Sequence, residues 1–161
     1  MMRHPIPPVF DERSRVLILG SFPSVKSREA GFFYGHPQNR FWKVLASVTG
    51  APLPLTTEEK RAFLLGQRIA LWDVIASCDV TGSADSSIKN AVPNDLTPIF
   101  AAAPVAAVFT NGKTADRLYR QYLADGIRLP YACLPSTSPA NAAWNMDRLT
   151  EAWGQIGSYL A

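Results

Sequence analysis

The sequence has few of the residues that mark secreted, metal-binding or membrane-spanning proteins. Cysteine and histidine occur twice each among 161 residues, and Cys78 and Cys133 lack the spacing of a metal or redox motif. We expect both as free, buried thiols in a reducing compartment. Met1–Pro8 has no apolar signal-peptide core, and no apolar run is long enough to span a membrane. These absences predict a cytoplasmic protein that is not inserted in a membrane.

Charge is also scarce, since charged residues make up 18% of the chain and hydrophobic residues 47%. This composition is typical of a globular domain with a sizeable core, and the length fits one domain. The formal net charge is only +3. Such an excess permits nucleic-acid binding without proving it, so a DNA-binding protein of this composition needs its positive charge clustered on one face.

Four short apolar runs predict the buried strands of a parallel sheet, because none alternates strictly between apolar and polar residues. Strand and helix patterns alternate, which predicts the α/β class: a three-layer α/β/α sandwich with a central four-stranded, mainly parallel sheet. We expect one domain over residues 1–161, with residues 1–12 as an extended, proline-rich arm. The strand runs are Val16–Gly20, Ile69–Ile75, Val105–Thr110 and Tyr131–Leu134, and the helical segments are Asn39–Thr49, Thr57–Leu65, Asn94–Ala102, Thr114–Ala124 and Ala142–Leu160.

The segment Gly31–Lys43 carries an unusual mixture of aromatic rings, one histidine, amides and two cations. Its ring at Tyr34 could stack on a nucleobase. Asn39 lies at the mouth of a helix, where it could cap the helix, position a water or contact a base, and these roles are compatible. His36 has no acidic partner nearby in sequence, so we interpret it as structural.

The carboxyl ends of the predicted strands are the expected ligand-binding edge. Gly20–Ser24 is a turn of small residues whose backbone N–H groups could face a ligand, and Asp73 ends the next strand. Thr110–Thr114 lacks the spacing of a nucleoside-triphosphate loop but could bind one phosphate. Leu134–Asn141 is rich in hydroxyls and braced by two prolines, which is typical of a rigid prong.

Together these segments resemble the uracil-DNA glycosylase superfamily, and within it the hypoxanthine-DNA (deoxyinosine) glycosylase branch, which is related to the mismatch-specific uracil and thymine glycosylases. The resemblance covers the chain from Val16 to about Trp153. It rests on Gly20–Ser24, Gly35–Lys43, Gly82–Ile88 and Leu134–Asn141 in this order.

The resemblance implies a site. Phe22 stands where most branches have an Asp or Asn that holds the attacking water, and the hypoxanthine branch shifts this duty to a helical Asn that matches Asn39. Phe22, Tyr34, Asp73 and Ser136 match base-binding positions. The residues expected to contact DNA are Ser24, Arg40, Lys43, Ser86, Ser87, Lys89, Lys113, Ser138, Pro139, Ala140 and Asn141, of which the last three match a wedge.

The implied activity is that of a monofunctional DNA glycosylase in base excision repair, which removes deaminated bases, hypoxanthine first and uracil second. The base must flip out of the duplex to enter the pocket. An amide is too weak a base to deprotonate water, so Asn39 would only orient it, and hydrogen bonds to the departing base would lower the barrier. No metal or organic cofactor is implied. The expected partners are DNA with deaminated bases and downstream repair enzymes, and the protein is expected to be a monomer.

Three alternatives stay open at this point. The first is a uracil or thymine mismatch-specific glycosylase of the same fold. The second is a DNA-binding module without catalysis, since Phe22 removes the usual water-holding group. The third is a protein that binds small nucleosides or nucleotides, whose binding would not depend on salt as DNA binding does.

Overall fold

The computed structural model describes residues 1–160. Seven strands are present in this range: β1 Met2–Arg3, β2 Val16–Gly20, β3 Ile69–Asp73, β4 Ile75–Asp79, β5 Lys89–Pro93, β6 Ala107–Asn111 and β7 Tyr131–Leu134. Six α-helices accompany them: α1 Val25–Ala30, α2 Phe41–Thr49, α3 Thr57–Gly66, α4 Thr97–Ala102, α5 Lys113–Tyr122 and α6 Met146–Trp153. Short 3-10 turns lie at Asp85–Ser87, Ala124–Gly126 and Gly154–Tyr159. None of the helices described is both long and apolar enough to cross a bilayer.

The central sheet has four parallel strands in the order β3-β2-β6-β7. β2 lies in the middle and is buried along its whole length, which explains its continuous apolar sequence. Its register places Gly20 beside Asp73 at the carboxyl edge. The predicted fold class is therefore confirmed.

Successive residues of β2 point into two separate cores on opposite faces of the sheet. Val16 and Ile18 belong to the core that packs against α2, α3 and α6. Leu17 and Leu19 belong to the core that packs against α4, α5 and β4. Helices on both faces make the three layers of the sandwich.

A second, antiparallel sheet of order β1-β4-β5 was not predicted. The run Ile69–Ile75 is not one strand, because the chain leaves the parallel ladder after Asp73 and continues as β4. At the junction, the Asn94 side chain donates to the Asp73 carbonyl at 2.9 Å. The same bond keeps Asn94 out of α4, which begins at Thr97 instead of the predicted Asn94.

The remaining differences lie at element ends. Helix α1 falls in a segment where no helix was predicted, and α6 begins at Met146 because the Asn145 side chain accepts a hydrogen bond from the Arg148 N–H at 2.9 Å. Cys78 is buried as expected, but Cys133 is exposed. The reason is its position on β7, a strand at the edge of the sheet whose side chains are largely solvent-facing.

Residues 2–9 lie along the β3–β4 side of the molecule. β1 pairs with β4, and Val9 forms an antiparallel bridge to Leu71. The backbone N–H of His4 donates to the Ala76 carbonyl at 2.7 Å. The segment is therefore fixed to the sheet edge by backbone hydrogen bonds.

Candidate active site

A cavity of about 340 Å³ opens at the carboxyl edge of the parallel sheet. It collects five of the side chains that the sequence had indicated as catalytic or base-binding: Phe22, Tyr34, Asn39, Asp73 and Ser136. The cavity volume is at the lower end of the range for small-molecule pockets, which suits a single planar base. Ser24, Ser138, Pro139 and Ala140 also line it.

Asn39 is held by a network that fixes the orientation of its amide. The Phe41 N–H and the Thr137 hydroxyl both donate to Asn39 Oδ1, at 3.0 and 2.8 Å. Thr137 is the donor in its bond because an amide oxygen can only accept, and the Thr137 oxygen in turn accepts from Asn111 Nδ2 at 3.0 Å. The Thr137 N–H in turn donates to Asn111 Oδ1 at 3.1 Å, which fixes the second amide.

This geometry gives Asn39 two roles at once. Its Oδ1 receives the first N–H of α2, so it serves the helix end as a capping group does. Its Nδ2 group has no hydrogen-bond partner within residues 1–160, and the residue lines the cavity. Asn39 therefore presents N–H donors to a ligand, while its carbonyl oxygen is already used.

Tyr34 lies in the left-handed region of backbone conformation, at φ 51°, which is unusual for a tyrosine. One face of its ring stacks on Phe41, with ring centroids 4.0 Å apart, so a base could stack only on the other face. The hydroxyl is buried and donates to no group among the described residues, and the Asn111 side chain lies near it. Burial, and next the Asp73 carboxylate, raise the pKa of Tyr34 far above its usual value, while the Asn111 side chain opposes this.

Gly20 allows Tyr34 and Asp73 to meet at the cavity floor. A Cβ at this position would clash with Asp73 Oδ1 and lie 2.9 Å from the Tyr34 hydroxyl. Asp73 itself is buried, and its Oδ2 lies 2.7 Å from His4 Nε2. A side chain at residue 20 would therefore close the space in which the base-facing groups lie.

Phe22 and Asp85 form the remaining parts of the wall. Phe22 packs edge-on against the His4 ring, with centroids 5.8 Å apart, and has no group that could hold a water. Asp85 Oδ1 accepts a hydrogen bond from the Ser21 hydroxyl at 2.8 Å. Desolvation raises the pKa of Asp85, and the Asp73 carboxylate adds to the rise, while the Ser21 hydrogen bond and Arg117 lower it.

The prong at residues 135–141 is stabilised by its own side chains. Ser136 Oγ accepts from the Ser138 N–H at 3.1 Å, and Ser138 Oγ accepts from the Ala140 N–H at 3.2 Å. Asn141 Nδ2 donates to the Ser136 carbonyl at 3.0 Å. Pro139 and Ala140 are exposed at the tip, where a wedge would have to be.

Arg40, for which the sequence had suggested a phosphate contact, bonds mainly to the protein itself. Its guanidinium donates to the carbonyls of Ser138 and Asn141, at 2.9 and 3.1 Å, and to that of Trp144. These carbonyls all belong to the prong and the turn that follows it. Arg40 therefore braces the prong through three of its five N–H donors, and a contact of the remaining donors with a phosphate stays a prediction.

The other predicted DNA contacts fall into two groups. Ser24 and Ser87 use their hydroxyls locally: Ser24 accepts from the Ser27 N–H at the start of α1, and Ser87 donates to the Ala84 carbonyl. Those that remain exposed are Lys43, Ser86, Lys89 and Lys113, and no ion-pair partner of the three lysines is found in the part of the chain that the structure describes.

Among the residues missed as site residues are Asp85, Asn111 and Thr137, which line the cavity, and His4, which lies behind it. Asp85 and Thr137 stood inside the quoted segments, and Asn111 ended a predicted strand, so strand-end position was an available signal. No group of three or more His, Cys, Asp or Glu side chains that could hold a metal occurs within residues 1–160.

The comparisons with known proteins agree with this geometry. The family model of the uracil DNA glycosylase superfamily matches residues 7–156. The chain belongs to the uracil DNA glycosylase superfamily. A superfamily relative from Methanosarcina acetivorans, named hypoxanthine DNA glycosylase, is 33% identical over 94% of this chain and 96% of its own length. A protein of the same name from Methanosarcina barkeri is 36% identical over 70% of this chain and 73% of its own.

A solved structure of the same superfamily fold is also similar. It is a solution NMR structure of a Methanosarcina acetivorans protein provisionally described as a uracil DNA glycosylase. Its TM-score is 0.84 at 33% identity, and the match covers 99% of both chains. The predicted family membership is thus confirmed.

Proposed function

We propose that this protein is a monofunctional DNA glycosylase that hydrolyses the N-glycosidic bond of deaminated bases, with hypoxanthine as its first substrate. The observation that carries the proposal is the anchored Asn39 amide at a base-sized cavity in which Phe22 replaces the usual water-holding group. The names of the two similar Methanosarcina proteins support the choice of hypoxanthine.

The chemistry assigned to Asn39 follows from its orientation. Hydrolysis breaks the C1′–N9 bond, leaves the electron pair on the purine and passes through an oxocarbenium-like sugar, as glycoside hydrolysis does. The Asn39 Nδ2 group can donate to one lone pair of a water, so that another lone pair attacks C1′. Because an amide is a weak base and its carbonyl oxygen is occupied, Asn39 orients the water and takes up none of its protons. The proton that the water loses passes to the departing purine or to solvent.

The leaving base must be stabilised by other donors. Backbone N–H groups near Phe22 and Tyr34 and the Ser136 hydroxyl line the cavity and are the candidates. Hypoxanthine presents O6 as an acceptor and N1–H as a donor, and uracil presents O4 and N3–H in the same order. Uracil as the second substrate is a prediction that this shared pattern supports.

DNA binding is assigned to the exposed lysines and to the prong. Lys43, Lys89 and Lys113 would neutralise phosphates, and Pro139, Ala140 and Asn141 would enter the duplex as the base flips out. A monomer in the cytoplasm, working before downstream base excision repair enzymes, is the setting that we propose. No cofactor is required by this chemistry.

The proposal is tested by incubating the protein with duplexes that carry inosine, uracil or xanthine, and then cleaving abasic sites with alkali. Cleavage of the inosine strand is expected. Absence of cleavage on all three would overturn the proposal. Tight binding of inosine duplex without product would indicate a DNA-binding module, and faster cleavage at uracil or thymine mismatches would indicate the mismatch-specific class.

The variant Asn39→Ala is expected to lower the excision rate by about 10² to 10³, the range for loss of one preorganised donor. Asn145→Ala is the matched control, because Asn145 also caps a helix but does not line the cavity. Both variants lose an acceptor at the start of a helix, and Asn39→Ala also removes the acceptor of the buried Thr137 hydroxyl, so the free energy of unfolding is measured for both variants. Equal excision by the two variants would remove Asn39 from the reaction.

A further inference from the structure

The N-terminal segment places one side chain directly behind the base cavity. The His4 side chain is only 3% exposed and that of Asp73 only 5%, with His4 Nε2 2.7 Å from Asp73 Oδ2. Three aromatic rings surround His4, those of Phe22, Phe33 and Trp72, with centroids 5.8 to 6.1 Å away. Phe22 and Phe33 also line the cavity.

The hydrogen bonds of the imidazole identify its tautomer. The Ile6 N–H donates to His4 Nδ1 at 3.1 Å. A backbone N–H is always a donor, so Nδ1 is an unprotonated acceptor and the ring proton is on Nε2. The contact with Asp73 is therefore a hydrogen bond from a neutral imidazole to a carboxylate, and it leaves the negative charge of Asp73 in place.

The second carboxylate oxygen faces the cavity. Asp73 lines the cavity, and its Oδ1 and the Tyr34 hydroxyl both lie beside the position that a Cβ on Gly20 would take. That hydroxyl is buried and donates to no group among residues 1–160, while the Asn111 side chain lies near its oxygen. The Asp73 Oδ1 acceptor and the unused Tyr34 hydroxyl donor thus both lie beside Gly20, on the floor of the site.

We infer that His4 is a positioning residue for base selection: it holds Asp73 as an ionised acceptor whose Oδ1 receives the lactam N–H of a flipped, deaminated base, with the Tyr34 hydroxyl donating to the neighbouring carbonyl. This inference rests on the proposed function. It makes the segment from Met2 to Val9 part of the substrate site.

The selectivity follows from what deamination does to a base. Adenine has a lone pair at N1 and cytosine a lone pair at N3, and deamination turns each of these positions into an N–H beside a carbonyl. A carboxylate fixed at that position accepts the new N–H. It repels the lone pair of the parent base, and a buried mispaired polar contact of this kind is costly.

Binding to DNA tests the inference apart from catalysis. In an Asn39→Ala background, we would measure the affinity for duplexes that carry inosine or adenine opposite the same base. We expect the preference for inosine to fall by about tenfold when His4→Ala is added, the effect of one lost hydrogen bond to a charged group. Met2→Ala is the matched control, because Met2 lies in β1 but is exposed.

A purely structural role of His4 would lower both affinities and the melting temperature without changing the preference. If His4→Ala does not fold, Asp73→Asn decides, since an amide can turn its NH₂ toward adenine N1 and should reduce the preference in the same way. An unchanged preference in the folded variants would overturn the inference. If wild-type protein neither excises nor prefers inosine, the proposed function fails instead.

The tautomer of the His4 imidazole can be measured directly. Nitrogen-15 NMR of the imidazole rings is simple here, because the chain has only two histidines. We expect His4 to show a protonated Nε2 and an unprotonated Nδ1. A doubly protonated His4 ring at neutral pH would contradict the inference.

Discussion

At the scale of single residues, the orientation of the Asn39 amide decides which chemistry the site can perform. Thr137 is fully buried and donates to Asn39 while it accepts from Asn111, so three side chains act as one unit. The unit turns the Asn39 NH₂ group, and not its oxygen, toward the cavity. A buried network of this kind is effective only when each member is satisfied.

The variant Thr137→Val tests this unit, because valine keeps the shape of threonine and loses the hydroxyl. We expect excision to fall by about tenfold or more and the free energy of unfolding by about 1–3 kcal/mol, since Asn111 Nδ2 loses its acceptor. Single-turnover excision and urea unfolding measure the two effects. Thr137→Ser should restore both, and wild-type excision by the valine variant would show that the orientation of Asn39 does not depend on Thr137.

Asp85 gives a prediction for pH dependence. The pKa of its carboxyl is raised by desolvation, so it takes up a proton at a higher pH than an ordinary aspartate. If its carboxylate accepts the proton of the attacking water, the excision rate should fall on acidification and do so above the usual aspartate range. Asp85→Asn should remove that acidic limb from the pH–rate profile. An unchanged profile would leave Asp85 as a partner of Ser21 only.

At the scale of elements, the prong and α2 form one unit through Arg40. The Arg40 side chain bonds three carbonyls of residues 138–144, and its backbone N–H donates to the Thr137 carbonyl at 3.1 Å. The prong therefore moves only if α2 loosens or these bonds break. A wedge that is held in this way can push into a duplex without losing its shape.

Arg40→Lys keeps the charge but cannot reach three carbonyls, since an ammonium is a point donor on a flexible stem. We expect weaker binding of inosine duplex and faster amide exchange in residues 138–144, with no change in the salt dependence of binding. Lys43→Ala is the contrasting variant, because loss of one phosphate contact should reduce the slope of log K against log salt by about one. A reduced slope for Arg40→Lys would show that Arg40 also contacts a phosphate.

The limits of prediction from sequence are clearest at this scale. The apolar runs identify the parallel strands because each strand is buried on both faces, as β2 shows. Strand-end position also identifies Asp73, whereas Asn39 was assigned from its place at the mouth of a helix and from the family resemblance. The hydrogen bond between His4 and Asp73 could not be predicted, because it joins positions 69 residues apart and no local pattern marks it. The bonds of Arg40 to the prong could not be predicted either, because a cation beside a pocket does not show which oxygens it will reach.

At the scale of the whole molecule, the reaction that we propose needs no bound metal. The carboxylates of the cavity, Asp73 and Asp85, are each hydrogen-bonded to a protein side chain. Excision of hypoxanthine should therefore be unchanged after dialysis against EDTA and in assays that contain it. A loss of activity that Mg²⁺ or Zn²⁺ restores would contradict this, and a standard endonuclease that requires Mg²⁺ serves as the control for chelation.

On heating or in denaturant, the His4–Asp73 hydrogen bond should break before the molecule unfolds cooperatively. Residues 2–9 pair with β3 and β4 from one side and bury the side chains of Ile6 and Val9, and we expect this terminal segment to open at a lower free energy than the central strands. When they detach, Asp73 loses its partner while the sheet order β3-β2-β6-β7 persists. Discrimination between inosine and adenine should thus disappear at milder conditions than the cooperative loss of secondary structure, and a nearly intact molecule would already have lost its selectivity.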